Sequence, residues 1–223
     1  MLQIGLFIIC AASLFQAGEA WKTKRVADWT DQETKEVLSN SPWATMTTPS
    51  VKKEEKKSHG GMNMGIPGLG RHRTNNNDPS QDPNNSPAAS DSGASLNLRW
   101  ESALPIREAE LKARETSAPV VDEDHYAIAV YGLPTRLAKD PKGEGDRLKG
   151  QAALKREGQK DLKPSHVDVI QRDDGVVVVF LFPRTKEITA QDSRVEFDAL
   201  IGQYQIAQVF HVDDMMYHGK LEL

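Results

Sequence analysis

Apolar and polar residues alternate with a period of two along much of the C-terminal half of the chain, a pattern typical of β-strands with one buried face. The segments that show it are 96–100, 125–134, 194–202, 204–212 and 217–223. Between them, Val176 to Phe182 is a continuous apolar run, which suits a central strand covered on both faces. The preceding Asp174-Gly175 is a favoured two-residue hairpin turn. The pattern predicts a mostly antiparallel β-sheet.

A helical period marks fewer segments. Pro105 suits the first turn of a helix, and Ile106, Ala109 and Ala113 follow it on one side. A second helix is predicted over 146–157. Together with the strands, these segments predict an α+β domain over residues 95–223, with two or three helices on the sheet.

An isolated short helix is predicted near the N-terminus. Thr30 and Glu33 form a T-x-x-E capping box at its start, and Pro42 ends it. A helix of this length is marginal alone in water, so it must dock on something. We expect docking on the chain's own domain or on a partner such as an envelope protein, through four apolar side chains. These are Trp29, Val37, Leu38 and Trp43.

The first residues have the features of an export signal. The apolar run from Ile4 to Phe15 is too short for a membrane span, which needs about 20 residues, but suits a signal-peptide core. Gly18 and Ala20 place small residues before a cleavage site at Trp21, although no Lys or Arg precedes the run. Residues 1–20 therefore predict a signal peptide and an exported protein, periplasmic or secreted.

Residues 51–94 are rich in Gly, Asn, Pro and Ser, a composition that does not support a packed core. We interpret this stretch as a disordered linker between the N-terminal helix segment, 21–50, and the domain at 95–223.

Charge and cysteine content exclude several functions. The formal net charge of −4 favours neither a nucleic-acid binder nor a protein of anionic membranes. No second apolar run reaches spanning length, so the mature chain is predicted to have no membrane span. Cys10 is the single cysteine and would leave with the signal peptide. This excludes thiol catalysis, CxxC redox chemistry and thiolate zinc sites, and no cofactor is predicted.

Several stretches resemble a group of uncharacterised exported proteins of soil bacteria. The resemblance lies in "WTDQETKEVLSNSPWA", "RWESALPIREAE", "YAIAVYGLP", "FLFPRTKEITAQDSRVEFDALIG" and "MMYHGKLEL". It implies export and a β-rich C-terminal domain after a separate N-terminal motif. It implies no activity, cofactor or site residue.

A cluster near the C-terminus has two interpretations. His211, Asp213, Asp214 and His218 fall within "HVDDMMYH", and two carboxylates with two imidazoles are ligands of hydrolytic metal sites. The alternative is an ordinary hairpin in which the Asp residues form a turn and the His residues flank it. We favour the hairpin because no further ligand motif supports a metal.

A second candidate metal site lies in the linker. His59, Met62, Met64 and His72 supply imidazoles and thioethers, the ligands that soft copper prefers. Gly-rich linkers also carry scattered Met and His without function.

Motifs of common enzymes do not occur in the chain. It has no G-x-S-x-G, Walker A or G-x-G-x-x-G pattern. Asp124 and His125 are adjacent in a predicted strand, so their side chains point to opposite faces and cannot easily cooperate. The leading hypothesis is therefore an exported soluble binding or structural module. The alternatives are a metal-dependent hydrolase and a periplasmic copper-handling protein.

Overall fold

The computed structural model describes residues 19–52, 95–115 and 118–223. Its α-helices are α1 (Ala20–Thr23), α2 (Asp31–Ser39), α3 (Leu104–Ala113) and α4 (Pro141–Lys149). Short 3₁₀ helices lie at Val26–Asp28, Thr135–Ala138, Ala190–Asp192 and Val212–Asp214. The strands are β1 (Asn40–Ser41), β2 (Ala44–Thr47), β3 (Ser50–Val51), β4 (Leu96–Trp100), β5 (His125–Leu133), β6 (Ala152–Arg156), β7 (His166–Arg172), β8 (Gly175–Pro183), β9 (Arg194–Ile201), β10 (Tyr204–His211), β11 (Met216–Tyr217) and β12 (Lys220–Leu221).

These strands form two main sheets in which all neighbours are antiparallel. The first has the order β1-β2-β4-β5-β8-β7 and the second β3-β10-β9-β6, while β11 and β12 form a separate hairpin. The sheets face each other across an apolar core, where Trp100 packs edge-on against Phe210 with ring centroids 5.2 Å apart. The predicted α+β class with a mostly antiparallel sheet is confirmed.

The N-terminal helix is not isolated. Helix α2 begins with the predicted capping box, in which Thr30 Oγ1 accepts from Glu33 N at 3.2 Å and Glu33 Oε2 accepts from Thr30 N at 2.8 Å. The helix packs on α3, and the chain beyond it forms β2, which pairs with β4 in the first sheet. A helix this short gains its stability from such packing.

The four residues predicted to dock the helix are all buried. Trp43 and Val37 are 0 % exposed, Trp29 is 3 % and Leu38 is 4 %, and all four belong to the main core together with residues of β4, β8 and β10. The structure therefore places them inside the chain's own core and not on a free surface.

The predicted helix over 146–157 is wrong in its second half. Helix α4 ends at Lys149, and the next residues form β6 along the edge of β9. Ala152 and Leu154 bury their side chains in the core from this strand. The ladder to β9 and this burial outweigh the helical propensity of "QAALKRE".

The hairpin between β7 and β8 turns one residue earlier than predicted. Arg172 pairs with Gly175, so the turn residues are Asp173 and Asp174. Gly175 opens β8 with φ +143°, and a Cβ there would lie 2.9 Å from the carbonyl oxygen of Leu133. The position is glycine because the end of β5 approaches it closely and its φ is positive.

Parts of the predicted layout lie outside the described residues. These are 1–18 of the predicted signal peptide and 53–94 of the predicted linker. Ala20 and Trp21, on either side of the predicted cleavage site, lie in α1 and are buried. No helix among the described residues is long and apolar enough to cross a membrane.

Candidate functional site

Among the described residues, no strand pairs with part of one edge of the second sheet. Tyr204 and Ile201 flank a two-residue turn and pair across it, so the even-numbered residues of β10 direct their backbone groups to β9. The odd-numbered residues direct theirs to the opposite edge. There β3 is only two residues long and ends its pairing at Gln205. The backbone groups of Ala207 and Val209 therefore face an open edge.

One side chain partly covers this edge. Gln208 Nε2 donates to the carbonyl oxygen of Val209 at 2.8 Å. Within the described ranges, no other hydrogen bond reaches the edge-facing groups of Ala207 and Val209. Unpaired donors and acceptors on an edge strand are a ready template for another extended chain.

A groove lies beside the open edge because the chain changes sheets there. Strand β2 pairs with β4 in the first sheet, whereas β3, a few residues on, pairs with β10 in the second. The groove lies between the β1–β2 hairpin and β10, has a volume of about 140 Å³, and is lined by Ser41, Pro42, Thr45, residues 208–211 and Asp214. Since one water occupies roughly 30 Å³ in the liquid, the groove has room for one aliphatic side chain.

The surroundings of the groove are apolar along the strands and acidic at one end. Met46 is 51 % exposed and Val209 is 38 % exposed, large fractions for apolar side chains. Asp213 and Asp214 are both exposed in the 3₁₀ turn that follows β10. No cation is paired with either carboxylate in the part of the chain that the structure describes.

The predicted metal cluster is only partly brought together. His211 and Asp214 both line the groove, and Asp213 lies in the same 3₁₀ turn. His218 lies in the β11–β12 turn, with its ring against that of Tyr217 at a centroid distance of 4.1 Å. Among the described residues, no group of three or more His, Cys, Asp or Glu side chains is arranged to hold a metal ion. The copper candidates His59, Met62, Met64 and His72 lie outside the described residues.

A buried charged cluster joins α3 to the first sheet. Tyr131 Oη donates to Glu101 Oε1 at 2.5 Å, and Arg99 Nη1 lies 2.8 Å from Glu115 Oε2 and 3.5 Å from Glu110 Oε1. Burial raises the pKa of Glu101, and burial, followed by the charge of Glu101, raises that of Glu110 to about 9. The 3.5 Å contact with Arg99 opposes this shift, but desolvation of a nearly inaccessible carboxyl dominates. Burial and the neighbouring Glu101 therefore favour the protonated form of Glu110.

The open edge was not predicted from the sequence. The one sequence signal is Val209, an apolar residue at a position of β10 where alternation places exposed side chains. The length of β3 determines how much of the β10 edge stays open. That length depends on where the chain leaves the first sheet after β2. No sequence pattern marks that point.

No family model, curated protein or solved structure matches this chain. The site is therefore interpreted from its own geometry.

Proposed function

We propose that the chain is a binding module that captures an extended polypeptide segment by β-strand addition at the edge of β10. The observation that carries this proposal is the edge-facing backbone of Ala207 and Val209, which no described strand pairs and only the Gln208 side chain contacts, beside a groove of side-chain size. Main-chain hydrogen bonds supply affinity in this mode of recognition, and pockets for alternate side chains supply specificity.

The groove indicates the chemistry of the captured segment. Its volume of about 140 Å³ suits one aliphatic side chain, packed near Thr45 and Phe210. Asp213 and Asp214 at one end favour a Lys or Arg in the same segment. We infer an extended partner segment in which an aliphatic residue is followed or preceded by a basic one.

A single backbone change tests the proposal. Val209→Pro removes an N–H from the open edge and leaves the ladder to β9 intact, because Val209 directs its backbone groups away from β9. Val209→Thr is the matched control, since it keeps the N–H and the β-branched shape. The probe is a phage-displayed random-peptide library selected on the full chain.

We expect selected peptides to bind the wild type and Val209→Thr with similar Kd. Val209→Pro should bind them at least about tenfold more weakly, which corresponds to roughly 1.4 kcal/mol. Peptides that bind Val209→Pro as tightly as the wild type would overturn the proposal. It would also be overturned if light scattering showed that a second copy of the chain occupies the edge in solution.

We further propose that the protein is exported and meets its partner in the cell envelope. The apolar run from Ile4 to Phe15 and the small residues Gly18 and Ala20 support export. Mass spectrometry of the chain expressed in a Gram-negative host tests it. The expected N-terminus is Trp21, and an intact Met1 on all recovered protein would contradict export by a cleaved signal.

A further inference from the structure

Three side chains from two segments of the chain form a hydrogen-bonded chain at one end of the first sheet. His125 Nδ1 lies 2.7 Å from Asp122 Oδ1, and Ser165 Oγ lies 2.9 Å from His125 Nε2. Asp122 precedes β5, His125 is its first residue, and Ser165 is the residue before β7. The sequence alone presents Asp124 as the candidate partner of His125. The carboxylate that contacts the imidazole belongs to Asp122, two residues before Asp124.

The hydrogen bonds fix which ring nitrogen carries the proton. Asp122 Oδ1 also accepts from the backbone N–H of Asp124 at 2.9 Å, which holds the carboxylate in place. The hydrogen bond from His125 lowers the pKa of Asp122, so this side chain is an anion and Nδ1 is the donor. With Nδ1 as the donor to Asp122, Nε2 is the ring nitrogen that faces the Ser165 hydroxyl, at 2.9 Å. This is the arrangement of a serine nucleophile, its general base and a positioning carboxylate.

The nucleophile is accessible. Ser165 is exposed, whereas the His125 side chain is 23 % exposed and so is partly shielded from bulk water. An electrophile in solution therefore reaches Oγ directly.

We propose that Ser165 is a nucleophile that takes up an acyl group from activated esters, an activity separate from the proposed strand addition in the second sheet. Oγ forms a bond to the ester carbonyl carbon while its proton passes to His125 Nε2. The carbon–oxygen bond to the alcohol then breaks, and the alkoxide leaves with that proton. Water, deprotonated by His125, later attacks the acyl carbon. The bond between that carbon and Oγ then breaks, the proton on His125 returns to Oγ, and the acid leaves.

The surroundings of Ser165 imply that acyl transfer is slow. Its own backbone N–H donates to the carbonyl oxygen of Leu181 at 2.8 Å, and its hydroxyl also donates to that oxygen at 3.2 Å. The N–H of the nucleophile, a common oxyanion donor, is thus already engaged. Loss of one such donor costs about 10²–10³ in kcat. Acylation and deacylation both pass through an oxyanion, so we expect both steps to be slow and only activated esters to react.

A fluorophosphonate probe tests the nucleophile without requiring turnover. Oγ would displace fluoride at phosphorus, with its proton passing to His125, and leave a stable phosphonate ester. Peptide mapping of the full chain then locates the adduct. Ser193 is an internal control, because it is also exposed and no histidine hydrogen bond to it occurs among the described residues.

We expect labelling at Ser165 at least about tenfold faster than at Ser193, and none at this position in Ser165→Ala. His125→Ala should lose the fast labelling and regain part of it when imidazole is added. Nitrogen NMR of His125 tests the positioning role of Asp122. The proton should lie on Nδ1 in the wild type and on Nε2 in Asp122→Asn, because the asparagine amide N–H would then face Nδ1.

A purely structural link between β5 and β7 predicts a different result. Ser165 and Ser193 would then be labelled at equal rates, and imidazole would not change labelling of His125→Ala. Either result, with variants that remain folded by circular dichroism, would overturn the proposal. Neither affects binding of peptides at β10.

Discussion

Trp43 Nε1 donates a hydrogen bond to the carbonyl oxygen of Glu222 at 2.8 Å, although the two residues are 179 positions apart. The indole is fully buried and packs edge-on against Trp21 at 6.1 Å and Tyr217 at 6.3 Å. The N-terminal segment and the C-terminal hairpin therefore stabilise each other directly. Because Trp43 follows α2 closely in the chain, this contact also helps to fix the position of that short helix.

We expect Trp43→Phe to destabilise the fold more than Trp29→Phe. Both changes shrink a buried ring, but Trp29 Nε1 has no hydrogen-bond partner among the described residues. Only Trp43→Phe leaves a carbonyl without its donor, which costs about 1–3 kcal/mol when the group stays buried. Urea unfolding followed by circular dichroism measures the difference, and equal destabilisation would show that the Glu222 carbonyl is satisfied by water.

The double variant Trp29→Ala with Trp43→Ala tests the docking of the whole segment. Each truncation of a buried Trp costs about 3–5 kcal/mol. The melting temperature of the full chain should therefore fall clearly. An unchanged melting temperature would mean that the N-terminal segment does not pack on the domain in solution.

Local signals in the sequence predicted local structure well. The capping box of Thr30 and Glu33 is a contact between near neighbours, and the alternation in 194–202 and 204–212 predicted β9 and β10. Features set by distant contacts were not predicted. Residues 152–156 have helical composition but form β6 because they pair with the edge of β9. Gly175 is required by the close approach of the Leu133 carbonyl and not by a turn.

The candidate sites show the same difference between local contacts, which the sequence predicts, and distant contacts, which it does not. Residues close in sequence, such as His211 and His218, suggested a cluster that the fold only partly brings together. The Ser165–His125 contact joins residues 40 positions apart, and the open edge of β10 is a consequence of a short β3. Sequence spacing contains neither relationship.

Gly175→Ala should be more destabilising than Gly158→Ala. Both glycines have positive φ, +143° and +69°, so both substitutions introduce backbone strain. A Cβ at Gly158 meets nothing within 4 Å, whereas one at Gly175 would lie 2.9 Å from a backbone oxygen. We expect about 1 kcal/mol for Gly158→Ala and clearly more for Gly175→Ala, measured by urea unfolding. Equal costs would place the Leu133 carbonyl farther away than 2.9 Å.

Removal of the helix cap should have a smaller effect. Thr30→Ala deletes the hydroxyl that accepts from Glu33 N, at a cost of about 1 kcal/mol, while Thr30→Ser keeps it. The midpoint of urea unfolding should fall for the alanine variant and stay near the wild-type value for serine. The same shift in both variants would assign the loss to the Thr30 methyl group and not to the cap.

Release of the proton from Glu110 should lower the free energy of unfolding as the pH rises. Its pKa is raised from 4.5 to about 9 in the fold, chiefly by burial. Between those values the folded state holds a proton that the unfolded state has released. The contribution of Glu110 to the free energy of unfolding therefore falls with increasing pH across this range, and it is fully present only below the unfolded pKa. The charged groups that act on the carboxyl are Arg99, Glu101 and Glu115, and of these only Arg99 opposes the shift.

Glu110→Gln separates this effect from the titration of other groups. A glutamine amide donates to Glu101 as the protonated carboxyl does, but it does not titrate. The variant should lose most of the decline in stability between about pH 5 and 9, a decline limited to roughly 1.4 kcal/mol per pH unit for one proton. Glu157→Gln is the matched control, because that side chain is 80 % exposed and should leave the wild-type slope unchanged. A Glu110→Gln slope equal to that of Glu157→Gln would show that Glu110 is ionised in the fold and held by Arg99.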